Sequence, residues 1–127
     1  MIEEPDHRLT RAFRGEGFTV HDEIYEMGTP FSRADRRVLL RLDPSDPAVR
    51  EVIKGIPGKE PTHRADLDFA VAWVKHYGAG RVFYADFGHL AEPLENPAID
   101  SFYLDGIQYV LGDLEAEDAP RESGVHQ

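Results

Sequence analysis

The sequence predicts an α/β fold of about four strands with a long C-terminal helix, and three observations carry that prediction. Residues 82–88 form an apolar run with a single charge, rich in β-branched and aromatic side chains, as in a strand buried on both faces. A second apolar run, residues 69–74, joins it through Tyr77-Gly78-Ala79-Gly80, whose glycines suit a hairpin turn. Beyond Asn96-Pro97, the residues Ile99, Phe102, Tyr103, Gly106, Ile107 and Val110 recur at helical spacing, and Gly112 stands where such a helix would stop. A compact α+β arrangement, with this helix covering one face of the sheet, is the alternative.

The remaining elements follow in chain order. Residues 5–13, closed by Gly15 and Gly17, read as one or two helical turns, with His7 a helix-end contact in preference to a ligand. Residues 18–27 read as a strand, with Phe18, Val20 and Ile24 alternating and Gly28 and Pro30 beyond. Residues 38–42 form a short strand that Asp43-Pro44 ends, and Asp46-Pro47 has the cap and first-turn chemistry of a short helix through Lys54. The stretch 55–68 is loop-like and long enough to cover a site. Gly106 costs its helix about 1 kcal/mol unless close packing on the sheet requires it. Trp73, Phe83, Phe87 and Tyr103 read as core aromatics. After Leu114 the chain is acidic and aperiodic, so a domain over residues 1–114 and a mobile tail over 115–127 are expected.

Composition bounds the function. The 127 residues suffice for one domain that buries roughly two thirds of its unfolded surface. Fourteen Lys and Arg against 24 Asp and Glu give a formal charge of −10, which opposes nucleic-acid phosphate and anionic lipid. Without cysteine there is no disulfide, thiolate nucleophile or thiolate metal site. No export signal or membrane span is visible in this chain, so a soluble protein, cytoplasmic by default, is expected. There is no Gly-rich phosphate loop between a strand and a helix, so no nucleotide cofactor is expected.

The candidate chemistry gathers in two places. Asp22 and Glu23, adjacent on a strand, point to opposite faces, and Glu23 shares its face with His21 and Tyr25. A Glu-His pair can transfer protons or help hold a divalent metal. His89 follows Gly88 just past a core strand, where open α/β sheets place their chemistry. The competing readings are a solvated strand face and a histidine that merely caps a strand end. Arg81 is expected to pair with Asp86 or another acidic neighbour. His63, His76 and His126, in loop, turn and tail, are given no role.

These segments together resemble the C-terminal half of a ThuA-like (trehalose utilisation) domain, a three-layer, flavodoxin-like sheet fold related to class I glutamine amidotransferases. The likeness is carried by Asp6-His7-Arg8-Leu9-Thr10-Arg11, similar to the family's D-H-P-[IL]-T, by Val20-His21-Asp22-Glu23-Ile24-Tyr25, and by the run from Ala72 through Tyr84 into Gly88-His89. Asn96-Pro97-Ala98, Leu104-Asp105-Gly106-Ile107-Gln108-Tyr109 and Gly112-Asp113-Leu114 extend it over most of residues 5–120. Arg8 stands where proline is usual, and a counterpart of the family's N-terminal half is missing.

The resemblance implies a polar cleft with Glu23, His89 and Asp22 as catalytic groups and His21, Tyr25 and Gly88 binding substrate. Its ligand would be a small carbohydrate, trehalose-like or an oxidised disaccharide. No cysteine and no G-x-S-x-G elbow are present, which removes amidotransferase chemistry. A half-sheet would expose apolar surface and open strand edges, so a second copy of the chain, or a partner supplying the missing half, is expected to cover it. A non-catalytic binding or assembly module is the competing function. Convergence of the Glu23 and His89 side chains separates the two readings.

Overall fold

The computed structural model describes residues 1–28, 30–54 and 66–121. Three strands, β1 (Arg37–Arg41), β2 (Ala70–Tyr77) and β3 (Gly80–Ala85), pair antiparallel in the order β1-β2-β3. The compact α+β alternative is therefore the observed architecture, in place of a parallel half-sheet. The hairpin lies where its glycines put it: Tyr77 pairs with Gly80, leaving Gly78 and Ala79 as a two-residue turn. Between β1 and β2, α1 (Pro47–Ile53) starts at Asp46, whose carboxylate accepts from the Ala48 N–H at 2.8 Å. Residues 55–65 of the expected loop lie outside the described residues.

Residues 18–27 carry no regular secondary structure and make no fourth strand. Their alternation is nonetheless used, because Phe18, Val20 and Ile24 pack on the core. The segment crosses the end of the sheet as a strap, and the Tyr25 N–H donates to the Asp86 carboxylate instead of a strand carbonyl. An apolar alternation specifies a buried face, but it does not specify a ladder partner.

The core lies between the sheet and α2 (Pro97–Leu111), which Asn96 caps by accepting from the Ala98 N–H. Leu39, Ala72 and Val74 meet Ile99, Phe102 and Tyr109, all essentially inaccessible to solvent. On the opposite face Trp73 stacks on Tyr84 at 5.1 Å, and the Arg36 guanidinium lies 4.5 Å from the Trp73 ring. No helix among the described residues is long and apolar enough to cross a membrane.

Gly106 faces Phe83 so closely that an added Cβ would stand 2.5 Å from the ring. The helix thus gives up propensity to approach the sheet. Gly106→Ala should gain about 1 kcal/mol of helix propensity and lose more to overpacking, for a net destabilisation of about 1 kcal/mol in urea melts. Phe83→Leu in the same background should recover part of the loss, and a more stable Gly106→Ala protein would contradict this packing.

The D-H-x-L-T segment leads into a 3-10 turn, Arg8–Phe13, and His7, Thr10 and Arg11 each have a structural task. His7 Nδ1 accepts from the Leu9 N–H at 3.2 Å, so Nε2 carries the proton and donates to the Glu117 carbonyl at 2.6 Å. Thr10 Oγ1 donates to the Glu4 and His7 carbonyls, and Arg11 holds the buried Asp105 of α2 with two bonds of 2.9 and 3.0 Å. The acidic segment expected to be a free tail is tied down over residues 115–121. Arg81 pairs with Glu115, Tyr109 Oη donates to Asp118, and Arg121 reaches Glu4.

Burial is the main force that lowers the His7 pKa from its ordinary 6.5, against the Glu117 carbonyl bond that favours the charged ring. The unfolded ring takes up a proton near 6.5 and the folded ring resists it, so the unfolded state binds more protons just below that pH. The contribution of His7 is present above about pH 6.5 and is lost as pH falls through its lowered folded value. His7→Ala should cost about 2 kcal/mol at pH 8 and flatten the stability loss as pH falls below about 6.5. Urea midpoints that decline in parallel for the two proteins would remove His7 from that account.

Candidate functional site

The site begins where β3 ends. Asp86 N–H still donates to the Val71 carbonyl at 2.9 Å, then the chain turns at Gly88, whose φ of 119° is open only to glycine without strain. The strap lies across this turn, and two carboxylates are exchanged between them. Asp22 accepts from the Gly88 N–H at 2.6 Å and the Leu90 N–H at 3.0 Å, while Asp86 accepts from the Tyr25 N–H at 2.6 Å. Tyr103 of α2 donates to the Phe87 carbonyl, fixing the turn from the core side.

This double clasp decides which side chains meet. Glu23 Oε2 lies 3.4 Å from His89 Nε2, with both side chains more than half exposed (55% and 60%). His21 stands apart from them, its Nδ1 3.9 Å from Glu92. Asp22 is turned toward the 88–90 turn, so its bonds are to backbone amides, and Gly88 supplies one of them. Tyr25 is placed through its backbone, with its side chain exposed. Among the described residues no group of three or more His, Asp or Glu side chains is arranged to hold a metal ion. Glu23 and His89 stand within ion-pair distance, charged as a pair only when the imidazole is protonated.

The two clasping carboxyls are shifted in opposite directions. Desolvation works to raise Asp22, but the N–H donors of Gly88, Leu90 and Glu23, with nearby His89, hold it below the usual carboxylate value. For Asp86 desolvation wins: burial lifts its carboxyl to about 6, against the Tyr25 N–H and the Tyr84 hydroxyl, and the charges of Asp22 and Glu23 add to the rise. Burial also raises the Tyr84 phenol, to about 12, with the Asp86 charge contributing.

Asp86 is the group that sequence reasoning missed. The sequence offers it as a partner for Arg81, yet Arg81 bonds Glu115 and the Tyr109 carbonyl. The available signal was an acid ending an apolar run two residues before Gly88-His89. Beside the clasp lies a groove of about 430 Å³, lined by the apolar Phe18, Val20, Leu42 and Phe69 and by His21, Asp22 and Tyr25 among others.

The folded Asp86 keeps its proton to about 6 and the unfolded one releases it near 3.8, so between these values the folded state binds more protons. Its contribution is fully present below 3.8 and is lost as pH rises through 6. Asp86→Asn should therefore flatten part of the stability decline over that window, and carbon-detected NMR should place the Asp86 midpoint near 6. A midpoint near 4 would show an ordinary, solvated carboxylate.

The arrangement joins the strap motif to the hairpin end at Gly88-His89, two of the segments that carry the family likeness. No curated protein and no solved structure matches the chain significantly. Residues 1–110 match the ThuA family, described as trehalose utilisation, and that span takes in the strap, the sheet, the clasp and nearly all of α2. The chain belongs to the ThuA (trehalose utilisation) family.

Proposed function

We propose that this chain binds a small carbohydrate, trehalose-like or an oxidised disaccharide, at the rim formed by the strap and the 86–90 turn. In this reading Glu23 and His89 exchange a proton with a ligand hydroxyl, one as acceptor and the other as donor. Asp22 positions the turn, Gly88 gives it its shape, and His21 and Tyr25 flank the ligand from the strap. The observation that carries the reading is the 3.4 Å approach of Glu23 to His89, two residues 66 positions apart in sequence, beside a groove of ligand size. The pair is open to solvent, so a ligand reaches it without any rearrangement of the core.

A second reading, a binding or assembly module, is favoured by a separate observation. Leu104, Ile107 and Leu111 on the outer side of α2 are 56%, 54% and 70% exposed. A second copy of the chain, or a partner domain, would cover this stripe.

Titration of trehalose and of a keto-disaccharide, followed by amide NMR, distinguishes the two. Saccharide binding should perturb residues 21–25 and 86–90, and Glu23→Gln or His89→Ala should weaken it by about tenfold, the scale of one charged hydrogen bond. An absence of shifts at millimolar saccharide, together with a dimer in sedimentation that a charge on the outer side of α2, such as Ile107→Glu, dissociates, would replace the carbohydrate reading with the assembly one.

A further inference from the structure

The segment after α2 lies on the fold as a docked peptide would. Its residues alternate: Leu114, Ala116 and Asp118 are partly buried, while Asp113, Glu115, Glu117 and Ala119 are exposed. That is the two-residue period of an extended segment laid on a surface. The segment crosses one end of the sheet strand by strand. Arg81 of β3 donates to the Glu115 carboxylate at 2.7 Å, His76 of β2 stands 2.9 Å from the Asp118 carboxylate, and Arg37 of β1 donates to the Ala119 carbonyl at 3.3 Å. Tyr109 and His7 complete the seat, through Asp118 and the Glu117 carbonyl. Apolar contact with the core comes from the partly buried Leu114 and Ala116, so lifting the segment leaves the packing between the sheet and α2 in place.

What returns the segment to its own chain is the reversal at the end of α2. Gly112 takes a φ of 87°, and its N–H and that of Asp113 both turn back to the Gln108 carbonyl. A Cβ added at Gly112 would meet nothing within 4 Å, so the glycine is required by its dihedral angle and not by a close approach. Just before it, Leu104, Ile107 and Leu111 recur at helical spacing on one exposed side of α2. We propose, resting on the assembly reading above, that two copies of this chain exchange residues 113–121, each tail filling the other's seat while the two apolar stripes cover one another. The occupant is a second copy because its tail reproduces every contact of the seat, and because the stripe it would cover adjoins the hinge. Contacts in the seat are the same in the single chain and in the pair, so they cancel. The balance is set by the hinge, by the stripes, by the tethering of each tail beside its own seat and by repulsion between chains of charge −10.

The full chain tests this in solution. Its dimer fraction in sedimentation should rise between about 10 μM and 1 mM, and rise further with salt as the like charges are screened. In a mixture of isotope-labelled and unlabelled copies, filtered NOEs should join residues 114–118 of one copy to His7, His76 and Tyr109 of the other. Gly112→Ala disfavours the reversal and should tighten dimerisation by about twentyfold, roughly fivefold for each of the two hinges. Asp118→Asn loosens the seat equally in both states, so it should speed the mixing of copies and leave the dimer fraction nearly unchanged. Ile107→Glu should dissolve the dimer. A dimer whose filtered NOEs run only between α2 helices, or whose affinity Gly112→Ala leaves unchanged, would end the exchange and keep the assembly reading. A native chain that stays monomeric throughout that range would end both.

Discussion

Everything at the candidate site depends on the exchange of carboxylates between the strap and the end of β3. Asp22 of the strap holds the amides of Gly88 and Leu90, and Asp86 of the strand end holds the amide of Tyr25. Each bond has an ionisable acceptor, which makes it stronger than a neutral amide pair when that acceptor is charged. The strap has no place in the sheet ladder, so these bonds do for it what hydrogen-bonded pairing does for a strand. They also set a register: a shift of one residue along the strap would carry Glu23 away from His89 and turn Ile24 out of the core.

A second fastening works on the other side of the helix layer. Arg11 of the first turn meets the buried Asp105 of α2, and His7 joins that turn to residue 117. Removing Arg11 would leave a buried carboxylate without its cation, which is why an acid can stand on the inner side of α2. The segments that resemble the family are therefore bound to one another in pairs. The first turn is held to the last helix, and the strap to the hairpin end.

Much of this was legible because it rests on local chemistry. The hairpin followed from its glycines, α1 from Asp46-Pro47 and α2 from Asn96-Pro97 and its apolar spacing. The meeting of Glu23 with His89 was legible as a question, since the motifs named both residues without giving the distance between them. The strap reads as a strand because Phe18, Val20 and Ile24 show which side is buried and are silent about which backbone groups are paired. Asp86 escaped because its character comes from burial and from the neighbouring charges of Asp22 and Glu23, neither of which is a property of residues 82–88. The 115–121 segment, aperiodic and acidic, is held by arginines and by the His7 ring, and long-range polar partners leave no periodic trace.

The contrast between Asp86 and the Glu23–His89 pair bears on function more than either does alone. An exposed ion pair of this kind contributes little to folding, of order 0–1 kcal/mol, so stability gives no strong reason to hold these two side chains together. A buried carboxyl with no cation paired to it among the described residues is a cost to the folded state once it ionises. Yet the fold carries both within a few residues, at the end of the same strand. Where a chain departs from what stability alone would choose, the departures concentrate at sites that do chemistry or bind ligands. By that argument the 86–90 turn, with the strap across it, is the place that the proposed carbohydrate reading selects.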